Sequence, residues 1–135
     1  MSLVQIEEKV GYLHCVVPQF DLMGSSVIRL FREVLNISRD TGTKLMLVDV
    51  TANYERVSLV EKAKTGLRMV ALLRDYQKSV ATLPRIAVVG NTSNVTTSKP
   101  AQKLLQAAGF PFATFTDEAA AKAWLFEEEE NAQPG

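Results

Sequence analysis

The rhythm of apolar and polar residues changes along the chain in a way that separates strands from helices. Leu3-Val4-Gln5-Ile6-Glu7 alternates with the period of a half-exposed strand. After a break at Glu8-Lys9-Val10-Gly11, Tyr12-Leu13-His14-Cys15-Val16-Val17 reads as a second strand, ended by Pro18. The gap between the two is too short for a crossover helix, so they pair as an antiparallel hairpin. From Asp21, Val27, Leu30, Phe31, Val34 and Leu35 recur on one helical face, and Asp40-Thr41-Gly42 stops the helix. Leu45-Met46-Leu47-Val48-Asp49-Val50 is a nearly continuous apolar run, suited to a strand covered on both faces. A long helical pattern then passes through Leu59, Ala63, Leu67, Val70 and Leu73 towards Val80. Ile86-Ala87-Val88-Val89-Gly90 is another strand of the buried type. An Asn/Ser/Thr loop follows, then a short helix with Ala101, Leu104, Leu105 and Ala108 that Gly109 closes. Phe112-Ala113-Thr114-Phe115 is the last strand. Thr116-Asp117-Glu118 caps a terminal helix with Ala120, Ala123 and Trp124 on its inner face.

The predicted order is β-β-α-β-α-β-α-β-α, an α/β domain. Right-handed crossovers place the connecting helices on one side of a five-stranded mixed sheet, a β-α superhelix with the N-terminal antiparallel hairpin at one edge. The apolar residues of the middle strands then need cover on the other side as well, from a second copy in a homodimer or from the C-terminal segment. One domain over residues 1–126 is expected, with 127–135 as an acidic, disordered tail rich in glutamate.

Composition removes several function classes. Of the 135 residues, 47% are hydrophobic, enough for a core without disulfides or a structural metal. Fifteen basic residues balance fifteen acidic ones, so nucleic acid is not an expected partner. One cysteine and one histidine, Cys15 and His14, cannot assemble a Cys/His zinc site, and no residue is assigned to a metal or a cofactor. The opening residues lack the basic and apolar regions of a signal peptide, and no apolar run is long enough to cross a bilayer, so a cytoplasmic location is expected.

The hairpin, the three α-β turns and the terminal helix resemble the STAS-like (SpoIIAA-like) superfamily, whose founding members are anti-sigma-factor antagonists. The local resemblance is strongest to a branch of small bacterial proteins. Its fourth strand is similar to Arg85-Ile86-Ala87-Val88-Val89-Gly90, and its terminal helix to Thr116-Asp117-Glu118-Ala119-Ala120-Ala121-Lys122-Ala123-Trp124-Leu125. The resemblance runs from about Leu3 to Phe126. It implies a regulatory or interaction module without catalytic activity, binding a protein partner around Asn53, Tyr54 and Ser58. The antagonists carry a phosphorylatable serine at the helix after the central strand. Ser58 alone matches that place, and the Asp, second Ser and Gly of the usual motif are absent. Ser58-Leu59-Val60-Glu61 also reads as a capping box, which gives the serine a purely structural role.

A second function class is a small-ligand module. The fold is also similar to that of lipid-carrying Sec14-type domains, and the carboxyl edge of an open α/β sheet is where ligands bind. Thr51, Asn53, Asn91, Thr92 and Ser93 would line such a site for an anionic, nucleotide or lipid-like molecule, helped by Lys99 and Lys103. The other reading of Asn91-Thr92-Ser93-Asn94-Val95-Thr96-Thr97-Ser98 is a solvated loop ending in a Thr97 or Ser98 cap before Pro100.

An enzyme is the remaining class and the least supported. Asp49 with Thr92 invites comparison with receiver domains, but the opening hairpin and the lack of a lysine in Phe115-Thr116-Asp117 exclude it. Asp49 is instead expected to organise its loop as a hydrogen-bond acceptor. Strand alternation puts His14 on a face with Tyr12 and Val16, away from Cys15, so the two do not form a dyad.

Overall fold

The computed structural model describes residues 4–18, 24–52, 59–78 and 83–131. The elements follow the expected order: β1 (Gln5–Lys9), β2 (Tyr12–Val16), α1 (Gly24–Thr41), β3 (Leu45–Asp49), α2 (Leu59–Gln77), β4 (Arg85–Val89), α3 (Thr92–Ala107), β5 (Phe112–Phe115) and α4 (Glu118–Asn131). The strands lie side by side as β1-β2-β3-β4-β5. β1 and β2 form the antiparallel hairpin, with Lys9 opposite Tyr12, and the remaining neighbours are parallel.

Alternation along the strands gives the sheet two apolar faces. Leu13, Cys15, Val17, Met46, Val48, Val50, Ile86 and Phe112 pack against α1, α2 and α3 through Leu30, Phe31, Val34, Leu35, Met69, Leu73, Tyr76 and Leu105. The Tyr76 hydroxyl donates to the Leu35 carbonyl at 2.7 Å, joining α2 to α1 inside this layer. Tyr12, Leu47, Ala87 and Val89 form the opposite face, and Ala121 and Leu125 of α4 cover it. The C-terminal helix therefore supplies the cover, and no second copy is needed over these residues. It runs on to Asn131, into the segment that composition assigned to a tail.

Several local expectations are corrected. β1 lies two residues later than the alternation suggested and is exposed at every position, Ile6 included. In α2 Leu73 is buried as expected, but Leu67 is 60% exposed, and among the described residues Gly66, Met69 and Tyr76 are buried as well. On α4, Trp124 packs against the second layer as expected, but Ala120 and Ala123 are exposed and Ala121 and Leu125 are the buried positions. Asp21 falls outside the described residues. Gly42 and Gly109 do stop their helices, at φ +73° and +89°, backbone angles that favour glycine.

Cys15 is completely buried in the first layer. Burial pushes its thiol from the ordinary 9.0 up to about 11, and the charge of Glu33 adds to the rise. The folded chain then keeps a proton that the unfolded chain releases. This contribution is constant below pH 9 and is lost as the pH rises towards about 11. The urea midpoint of the wild type is expected to fall across that window more than the midpoint of Cys15→Ala. At pH 8 a thiol reagent should label Cys15 only as fast as the protein unfolds.

Candidate functional site

The carboxyl ends of the parallel strands form one continuous rim. The ladder extends past the strands, with Val17 N–H donating to the Asp49 carbonyl at 2.9 Å, Val50 N–H to Val89 at 2.8 Å and Gly90 N–H to Phe115 at 2.9 Å. Since Asp49 pairs with Val89, Thr51 and Asn91 leave the sheet at the same level from neighbouring strands. Thr51 is exposed and Asn91 half-buried. Asp49 organises its turn as expected: its Oδ1 accepts from the Thr51 N–H at 2.9 Å and from the Thr51 hydroxyl at 2.6 Å.

The structure corrects the reading of residues 91–98 as a loop. α3 starts at Thr92, directly after Gly90 and Asn91, so Ser93, Thr97 and Ser98 belong to the helix and neither Thr97 nor Ser98 caps it. Pro100 sits inside α3, where it has no N–H to offer the preceding turn. Exposed Thr92 is the first helical residue. At 1.5 Å of rise per residue, Lys99 and Lys103 lie roughly 10 Å and 16 Å along the axis from that start. Both are exposed. Asn53, Tyr54 and Ser58 fall outside the described residues.

A second group stands on the α4 side of the sheet. His14 of β2, Asp49 at the end of β3 and Glu118 at the start of α4 each present a donor atom, and all three atoms lie within 4.8 Å of one another. His14 Nε2 is sealed from solvent, has no hydrogen-bond partner, and lies 3.7 Å from Glu118 Oε1. Glu7 stands opposite His14 in the hairpin and is held by Lys9 at 3.0 Å. The hydrogen bond and charge of Lys9 hold the Glu7 carboxyl below its ordinary value, with a smaller contribution from His14.

Glu118 is fixed from its own helix. Lys122 reaches its Oε2 at 3.2 Å, and hydrogen bonds to Tyr12 and Glu118 push the lysine upwards. Asp117 accepts from the Ala120 N–H at 3.2 Å and caps the helix just before Glu118. Farther along, Arg85 stacks 3.7 Å above the Trp124 ring and donates to the Trp124 carbonyl from Nη2 at 2.9 Å. These contacts hold α4 across β3, β4 and β5.

The cluster was not legible in the sequence, because its members come from positions 14, 49 and 118. Strand parity put His14 on the Tyr12 face. Pairing of β2 with β3 brings Asp49 to that face, and the return of α4 over it adds Glu118.

No family model matches the sequence, and no curated protein does. Among solved structures, the chain is similar to the crystal structure of an anti-sigma factor antagonist from Mycobacterium paratuberculosis. The likeness has a TM-score of 0.53 at 14% identity and covers 90% of this chain and 92% of that one. With the hairpin, the parallel strand order and α4 on the second face, it establishes a SpoIIAA-like, STAS-like α/β fold. Among the described residues, no helix is long and apolar enough to cross a membrane.

Proposed function

We propose that the protein is a non-catalytic STAS-like interaction module that binds a protein partner at the carboxyl rim of its sheet. The partner surface comprises the turn at Thr51, the following segment with Asn53, Tyr54 and Ser58, and the start of α2. The observation that carries this reading is the fold likeness to an anti-sigma factor antagonist along nine-tenths of the chain. In the sequence, Ser58-Leu59-Val60-Glu61 has the pattern of a helix start, from which a serine caps a helix or, once phosphorylated, presents a dianion to it.

The test is affinity capture with the full chain, comparing wild type, Ser58→Asp and Tyr54→Ala. The expected result is a protein partner retained by the wild type and lost or exchanged in the variants. Identical partners for all three would remove this surface from the account. A second reading, a small anion at the same rim, draws on the α3 start at Thr92, which sets helix N–H groups beside Asn91. It predicts thermal stabilisation by inorganic phosphate that Asn91→Ala abolishes.

A further inference from the structure

We propose that His14, Asp49 and Glu118 bind a divalent transition-metal ion of the manganese-to-zinc series. The site is separate from the partner reading above and does not depend on it. Three features carry the proposal: the donor set, its spacing and the state of the imidazole.

One imidazole nitrogen with two carboxylates is a mixed N/O set. Imidazole suits zinc and its first-row neighbours, whereas calcium and magnesium take all-oxygen shells. Cysteine is not needed, so the composition argument against a Cys/His zinc site does not reach this cluster. Donors at about 2.0–2.2 Å from one metal stand roughly 2.8–3.6 Å apart at tetrahedral or octahedral angles. The His14 Nε2 to Glu118 Oε1 distance of 3.7 Å is too long for a hydrogen bond and close to that separation. The whole set, within 4.8 Å, closes onto an ion by a movement of about an ångström in two carboxylate side chains.

The imidazole is the most telling element. Buried polar atoms are nearly always satisfied, yet Nε2 of His14 has neither water access nor a hydrogen-bond partner and faces the carboxylates. A metal bond would satisfy it. The surroundings favour a cation: Asp49, Glu118 and, across the hairpin, Glu7 all stand near this ring. Lys122 is the competing positive charge, and it engages Oε2 of Glu118 while Oε1 faces His14. The positive end of α4, which would repel a cation, is screened by the Asp117 carboxylate at its cap.

The ligands come from β2, β3 and α4, so an ion here would clamp the C-terminal helix to the sheet. It would also fix Asp49, the residue that holds the Thr51 turn.

The sequence contains a single histidine, so the ring resonances of His14 are unambiguous in the intact protein. Titration of the metal-free full-length protein with Zn2+ should shift the His14 Nε2 resonance to an end point at one equivalent. Co2+ should bind in competition with Zn2+ and give a visible absorption band. Glu118→Gln and Asp49→Asn are expected to weaken Zn2+ binding by more than the roughly tenfold that loss of an outer-sphere partner costs. His14 resonances unmoved by saturating Zn2+ would overturn the proposal, whether or not the variants fold. So would Zn2+ binding of undiminished affinity in folded Glu118→Gln, which would place the ion elsewhere, for instance on the glutamates at 127–130.

Discussion

Replacing Gly66 by leucine is expected to destabilise the protein by about 3 kcal/mol, the upper part of the usual range for overpacking. Gly66 is buried in α2 where that helix crosses α3. A Cβ built there would stand 3.0 Å from the Ala101 Cα, 3.1 Å from its Cβ and 3.2 Å from a Leu104 methyl. The nearest of these atoms is backbone, which cannot rotate away. The only relief is to separate the helices, and that opens the layer around Met69, Leu73 and Leu105. Alanine makes a finer test. It gains about 1 kcal/mol of helix propensity over glycine, yet it places the same Cβ against the same backbone. A net loss in the guanidinium midpoint is expected for Gly66→Ala, and a larger one for Gly66→Leu. If both variants match or exceed the wild type, the helices do not approach this closely in solution.

Leu125→Ala is expected to cost about 2–5 kcal/mol. Leu125 is fully buried, and with Ala121 it closes the second face of the sheet over Leu47, Ala87 and Val89. That layer is small, so a cavity at its centre removes much of what attaches α4. Hydrogen exchange should show the loss as faster exchange in α4 before the layer of α1, α2 and α3 is affected. Phe126 is 38% exposed and touches Tyr12 only edge-on, with ring centroids 5.9 Å apart, so Phe126→Ala should cost far less. Equal costs at the two positions, or unchanged exchange in α4, would show that the helix is held by other contacts.

Elements with a strong apolar signature were legible in the sequence. Leu45–Asp49 and Arg85–Val89 lie in the sheet interior, and a nearly continuous apolar run is the pattern that a two-sided environment demands. β5 was located to the residue, and the hairpin followed from the shortness of its connection. The misreadings have a common cause, since helical faces are shared among neighbours that the sequence does not name. Leu67 has the spacing of a core residue but is exposed, and Met69 and Tyr76 join the expected Leu73 on the face that packs inwards. The polar run at 92–98 has no apolar face to mark it, yet it is helical because it continues α3. Local propensity is a weak guide once tertiary contacts decide.

The candidate sites divide in the same way. The rim with Thr51 and Asn91 could be placed from the strand order, because consecutive parallel strands end on the same edge. Asp49 could be given its turn-forming role from its position alone. The sequence by itself thus determined the order of elements, the edge hairpin and the rim, through hydrophobic period and connection length, which act between near neighbours. Only the tertiary structure decided which face α4 covers, and with it the meeting of His14, Asp49 and Glu118. That meeting depends on the packing of an apolar stripe against a sheet face, a relation between residues about a hundred positions apart that no local pattern encodes.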